Sequence, residues 1–460
     1  MAAPSTTPSA SVASVVWFRD DLRVADNGAL TAAVGRGGPV VAVYVLDEVS
    51  DEIRPLGGAA KWWLHGSLEV LADRLGGLGI PLVLRAGPAE AVVTGIVEEV
   101  SADAVFWNRR YGAEHHIDGR ITSRLRDAGL EVASFPGFLL NEPWDIQTGA
   151  GTPYAVYSPF WRANLDRIAH HPVAEPLPVP GSAAGRAPEV PGETLNSWKL
   201  RPTAPDWATE FAERWTPGED AAHERLLEFV DSGLVDYVRS RDHLDVDETS
   251  RLSPRLRWGE LTPRQVWHAV AHHQSEAART FRSELGWREF AWHSLYARPD
   301  LHERNWRVAF DLFPWPPLDQ DALRAWERGL TGIPLVDAGM RELWRTGTMH
   351  NRVRMVVASF LTKNLLIDWR IGERWFWDTL VDADPASNPF NWQWVAGSGA
   401  DAAPFFRVFN PERQREKFDA NGGYVARWLP DLDSPDYPDP IVDLAASRRA
   451  ALDAWESIRH

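Results

Sequence analysis

The chain has 460 residues, 44% hydrophobic and 24% charged, enough for two or three domains with sizeable cores. It contains no cysteine, which excludes disulfides, thiol nucleophiles and thiolate metal sites and suits a reducing cytoplasm. A formal net charge of −16 argues against a uniformly basic nucleic-acid binder but leaves room for a local basic cleft. No apolar run reaches the roughly 18 residues of a membrane span. The opening MAAPSTTPSASV reads as a frayed polar terminus rather than a signal peptide.

Strand and helix signals alternate through the first part. VASVVWF (12–18), VVAVYVLD (40–47), IPLVLRAG, ADAVFWN and LEVASF read as strands; 62–79, 89–100 and 118–129 have helical apolar spacing. That alternation predicts a doubly wound α/β domain with a parallel sheet over 13–140, without a GxGxxG dinucleotide turn. Residues 141–218 turn proline-rich, as in HHPVAEPLPVPGSAAGRAPEVPG, and read as a long interdomain connection. From 219 to 460 strand patterns vanish, and segments such as RSELGWREFAWHSLY and HNRVRMVVASFLTKNLLID predict an all-helical domain. Thr262 before Pro263 is a helix-start signal.

Several residue groups in the helical half carry chemistry. Glu284, Trp287 and Arg288 share a helix face, as do Asn351, Arg354 and Met355. For Glu284 and Arg288 the bland reading is a solvated ion pair. Asp382, Asp384 and Asn388 in DADPASN suit a metal, a helix cap or the polar edge of a cofactor. TSRLSPRLRWGELTPRQ (249–265) offers hydroxyls and amides for a phosphate or for a simple cap. Arg241, Arg251, Arg352, Arg354, Arg407, Arg413, Arg415 and Lys417 form the basic set that the net charge hides. Interleaved tryptophans suit stacking on exposed bases. Most single tryptophans, Trp326 and Trp344 among them, read as core.

These stretches together resemble the photolyase/cryptochrome family of flavoproteins. ELGWREF, the run WERGLTGIPLVDAGMRELWRTGTMHNRVRMVVASFLTKNLLIDWRIGE, DADPASNPFNWQWVAGSGADAAPFFRVFNP and the opening VVWFRDDLRVADNGAL carry the likeness in the right order. The resemblance implies FAD folded into a U in the helical domain and light-driven repair of cyclobutane pyrimidine dimers in single- or double-stranded DNA. It implies Tyr237, Thr249, Ser250, Leu252 and Ser253 around the FAD phosphates. Phe281, Glu284, Arg288, Asn351, Arg354, Asp382, Asp384 and Asn388 would line the rest of the cofactor, with Asn388 facing flavin N5, so the metal reading drops out. Arg241, Trp287, Asn351, Arg352, Met355, Trp394 and Arg407 would meet the DNA, and Glu284 would stabilise the dimer radical anion. Trp392, Trp369 and Trp315 match the family's electron relay, Trp315 with a one-residue shift in FPWPP.

Thr348, NPFNW (388–392) and Arg415 depart from the common pattern and point to the class III branch rather than class I. Lys61, Trp62, Trp63 and FWNRRYGAEHH (106–116) are candidate antenna contacts or domain surface, with methenyltetrahydrofolate the expected chromophore and 8-hydroxy-deazaflavin the alternative. The competing function is a cryptochrome-like photoreceptor without repair. The chain's end at His460, without a long tail, and Asn388 in place of aspartate favour the enzyme. The expected setting is a cytoplasmic, nucleoid-associated monomer.

Overall fold

The computed structural model describes residues 12–246, 248–402 and 406–459; the expectation for the polar N-terminus falls on residues 1–11, outside them. Five short strands, β1 (Ser14–Phe18), β2 (Val40–Leu46), β3 (Leu82–Ala86), β4 (Ala104–Asn108) and β5 (Glu131–Phe135), form a parallel sheet of order β3-β2-β1-β4-β5. Helices α1 (Gly28–Gly35), α2 (Gly58–Gly77), α3 (Ala89–Glu99) and α4 (His115–Asp127) make the crossovers. Successive side chains of a strand point to opposite faces, and both faces here are covered, so the strands read as continuous apolar runs. Val16 and Phe18 bury against Leu30 of α1 and Leu64 of α2, while Val15 and Trp17 bury in the second core with Val93 of α3 and Ile121 of α4. This is the expected doubly wound domain.

Within 141–218 the chain carries a helix that the sequence analysis did not assign, α5 (Tyr157–His170). Tyr157, Phe160 and Asn164 are its buried residues, a spacing of three and four. The proline-rich 172–192 stretch has no helix or strand; it is tied to the sheet domain midway by Ala183 N–H to the Leu78 carbonyl and just past its end by Glu193 N–H to the Leu84 carbonyl.

Beyond residue 218 the described residues are helices and turns. Thr262 accepts from Gln265 N–H while Gln265 accepts from Thr262 N–H, a complete capping box. The long helix Glu276–Ala297 crosses the domain. Asn351–Ser359, Trp369–Thr379 and Ser387–Ala396 pack around a core that includes Trp326, Val357, Trp369, Phe376 and Trp392. Trp344 departs from the core reading: it is 49% exposed, stacked at 6.1 Å on Trp375. Its helix turns Leu343 to the core instead, and one helix face cannot bury both neighbours.

The two domains meet over buried charge. Asp26 accepts from Leu177 N–H at 2.9 Å, Thr262 Oγ1 at 2.6 Å and Arg264. Glu219 accepts from Val24 and Ala25 N–H, both at 2.8 Å. Glu260 accepts from Trp63 Nε1, Ser67 Oγ, Gly218 N–H and Arg255 Nη1. All three carboxylates are at most 1% exposed. Trp62 and Trp63 are buried in the α/β core and Lys61 pairs with Glu48, so neither tryptophan is domain surface. Among the described residues no helix is long and apolar enough to cross a membrane.

Candidate active site

The helical domain encloses a cavity of about 490 Å³. Its walls come from separate elements. The long helix contributes Phe281, Glu284, Trp287 and Arg288; the Asn351 helix contributes Asn351, Arg352, Arg354 and Met355; the Ser387 helix contributes Asn388, Trp392 and Trp394. Tyr237, Arg241, Ser250, Leu252, Ser253, Asp382 and Asp384 complete the expected set. Thr249 does not line it; its carbonyl accepts from Arg225 Nη2 at 2.7 Å. Arg407 lies outside, exposed, with its guanidinium 5.4 Å from the Trp394 ring at the rim.

One carboxylate is fixed from two sides. Arg354 Nη2 donates to Asp382 Oδ2 at 3.0 Å and Nη1 to Oδ1 at 3.1 Å, while Ser253 Oγ donates to Oδ2 at 2.7 Å. Such a fork holds its geometry as well as its charge. Asp384 works on its own turn, taking Ala386 and Ser387 N–H on Oδ1 and Trp292 Nε1 on Oδ2. Among the described residues no group of three or more His, Asp or Glu side chains is placed to hold a metal.

The expected ion pair between Glu284 and Arg288 is absent. Glu284 Oε1 instead accepts from Arg241 Nη1 at 2.6 Å. Arg288 donates to the Phe138 carbonyl at 2.9 Å and lies 4.4 Å over the Phe138 ring. Burial lowers the Arg288 guanidinium below its ordinary value, against the opposing pull of Glu289 and Asp384. A helix neighbour lost to partners from elsewhere in the fold, because a largely buried guanidinium is better held by a ring, a carbonyl and the buried Glu289 carboxylate at 3.6 Å than by a carboxylate at the cavity rim.

Three contributors escaped the sequence reading. Tyr157 of α5 stacks on Trp287 at 3.7 Å with planes 8° apart. Gly286 makes this approach possible, since a Cβ there would lie 2.6 Å from Trp161 and 2.8 Å from the Tyr157 hydroxyl. The aromatic run YSPFW was the available signal. Glu373, 1% exposed, holds Asn388 and pairs with Arg54. Asp242 pairs with Arg352 at 2.8 Å.

Trp392 lines the cavity and Trp369 opens the neighbouring helix. Gly372, one turn after Trp369, faces the Trp392 ring so closely that a Cβ would sit 2.2 Å from it. Trp369 Nε1 donates to Asn305 Oδ1 at 2.9 Å. Trp315 is half-buried at the edge of the same core, 4.4 Å from Phe313.

The residues present suit a large flat cofactor with polar edges. The volume falls within the range of cofactor cavities, mostly apolar with a few convergent polar groups. Three buried donors on its lining residues, Trp392 Nε1, Arg288 Nε and Arg352 Nε, have no hydrogen-bond partner. Unsatisfied buried donors of this kind call for an acceptor.

The model for DNA photolyase matches residues 14–181, and the model for the FAD binding domain of DNA photolyase matches residues 281–436. The chain is 49% identical to the deoxyribodipyrimidine photo-lyase of Agrobacterium fabrum, over 97% of this chain and 98% of that one. It is 36% identical to Cryptochrome-1 of Arabidopsis thaliana, over 91% of this chain and 63% of that one. The crystal structure of a bacterial class III photolyase from Agrobacterium tumefaciens superposes with a TM-score of 0.93 at 47% identity, covering 99% and 100% of the two chains. The helical half is therefore an FAD-binding domain, and the chain belongs to the photolyase/cryptochrome family.

Proposed function

We propose that this protein repairs cyclobutane pyrimidine dimers in DNA with light, the dimer entering the cavity that holds FAD. The observation that carries it is the convergence of Glu284, Trp287, Asn351, Met355 and Trp394 at one cavity that Asn388 and Trp392 also line. A dimer must leave the duplex stack, at a cost of a few kcal/mol that the lesion's own distortion reduces. Trp287, held flat by Tyr157, and Trp394 are walls for the extruded bases, each stack worth ~1–3 kcal/mol. Met355 fills the irregular space beside them. Arg241, Arg352 and Arg407 meet the flanking phosphates.

Bound FAD, reduced and photoexcited, supplies the electron that opens the cyclobutane ring. The protein's part is positional and electrostatic. Glu284, in its protonated form, would donate a hydrogen bond to a dimer carbonyl where negative charge develops. Arg354, Asp382, Arg288 and Asn388 seat the cofactor, with Tyr237, Ser250, Leu252 and Ser253 at its phosphate end. Trp392, Trp369 and Trp315 would carry electrons inward to oxidised cofactor. Repair is favoured over signalling because the chain is 49% identical to the photo-lyase relative and 36% identical to the plant cryptochrome.

A second cavity of about 530 Å³ lies at the carboxyl ends of β1 and β2, lined by Trp17, Arg19, Arg110 and Arg257. Ligands of doubly wound sheets bind in such crevices. We assign it to the antenna, methenyltetrahydrofolate, with the deazaflavin as the other outcome of pigment extraction. The deciding experiment is illumination of a dimer-containing oligonucleotide with reduced protein. Loss of the lesion only in the light is expected; persistence of the lesion refutes the reading.

A further inference from the structure

At the cavity mouth both rim arginines already hold a carboxylate. Arg241 is paired with Glu284 and Arg352 Nη2 donates to Asp242 Oδ1 at 2.8 Å. Glu284 is accounted for by the dimer. Asp242 is not: it neither lines the cavity nor caps a helix. It stands just past the end of the helix Leu234–Ser240, where the carbonyl dipoles disfavour a negative charge. Its pairing with Arg352 offsets that cost. The Arg352 guanidinium lies 4.6 Å over the Phe418 ring, which also meets the Lys417 ammonium at 4.8 Å. The pair is open to exchange, with side chains 22% and 39% exposed.

Carboxylate and phosphate offer a guanidinium the same ligand chemistry, two oxygens for a planar fork. We propose that Asp242 is a stand-in for a DNA backbone phosphate, holding Arg352 in the free protein, yielding it on binding and competing for it on release. This rests on the reading of Arg352 as a phosphate contact. When the exchange occurs the phosphate loses a counter-ion, and the freed Asp242 regains one. Arg352 then contributes little to the salt dependence of binding, and the rim does not retain the repaired strand.

The test uses a dimer-containing oligonucleotide across a salt series, with flavin occupancy as the check on folding. Asp242→Asn keeps the size and an acceptor oxygen but removes the charge. It is expected to bind about threefold to tenfold tighter, through slower dissociation. The slope of log affinity on log salt should steepen by up to about 0.9 for duplex. Steady-state turnover in saturating light should fall relative to single-flash yield. Asp242→Glu should restore the wild-type slope, and in an Arg352→Ala background Asp242→Asn should change nothing.

Unchanged affinity and slope in Asp242→Asn overturn the proposal. So does weaker binding, which would make Asp242 a support for Arg352 within the complex. If wild-type protein repairs dimers while Asp242→Asn behaves identically, this inference alone falls. Wild-type protein that neither binds nor repairs the dimer removes the reading of the cavity as well.

Discussion

The Asn388 amide nitrogen donates twice to one residue, to the Glu373 carbonyl at 3.0 Å and to Glu373 Oε1 at 2.9 Å. The Glu373 carboxylate in turn receives both Arg54 nitrogens, at 2.7 and 2.9 Å. Both amide hydrogens are therefore spent on the protein, and what Asn388 offers the cavity is an acceptor oxygen. Glu373→Gln keeps an acceptor for Asn388 but breaks the buried ionic fork to Arg54. Stability should fall by about 1–3 kcal/mol, read from the urea midpoint at unchanged slope. Flavin should also dissociate faster. An unaltered midpoint would show that the fork contributes nothing.

Glu284→Ala should retain FAD and lower the repair yield by about tenfold or more, the scale of losing one group aimed at developing charge. Because Arg241 loses its partner too, DNA affinity should not drop. Full repair yield in saturating light would remove Glu284 from the chemistry.

Trp369→Phe should block photoreduction of oxidised FAD while sparing repair by chemically pre-reduced protein. It also strands the Asn305 oxygen that Trp369 Nε1 satisfies, so about 1–2 kcal/mol of stability should be lost. Photoreduction at the wild-type rate, in folded protein with full flavin occupancy, would reduce this tryptophan to packing.

Burial pushes two histidines, His293 and His350, down to about 4 from 6.5. A base with a lowered folded pKa takes its proton in the unfolded chain first, so its stability contribution is complete above about 6.5 and disappears as pH falls towards 4. Glu289, which burial raises to about 7, works in the opposite sense, losing stability as pH rises from its ordinary value. His293→Gln can still donate to the Asn141 carbonyl. It should remove one proton from the slope of stability against pH between about 4 and 6.5, a total of about 3 kcal/mol. An unchanged slope would place the titration elsewhere.

The sheet was legible because a strand buried on both faces must be apolar throughout, as VVAVYVL is. The long helix was legible from its spacing, and so was the shared face of Glu284, Trp287 and Arg288. Who pairs with whom was not. Arg241, Ser253 and Asp382 reach their partners across 43, 129 and 28 positions of chain, and no local spacing encodes such distances. Only the resemblance grouped them. Glu373 escaped for another reason: a carboxylate on an amphipathic helix looks solvated until a partner from another domain covers it. Trp344 misled in the opposite direction, since a large ring suggests burial, whereas a neighbouring ring is enough to keep it at the surface.

The seam between the domains sets a limit on how the substrate arrives. Asp26, Glu219 and Glu260 hold their partners across it with almost no exposure. Opening the molecule there would exchange these charge-assisted hydrogen bonds for water, at a net loss of about 1.5–3 kcal/mol for each bond. The sum over these bonds opposes a clamshell motion around DNA. The lesion has to travel by swinging out of its own helix, into a receptacle that stays still.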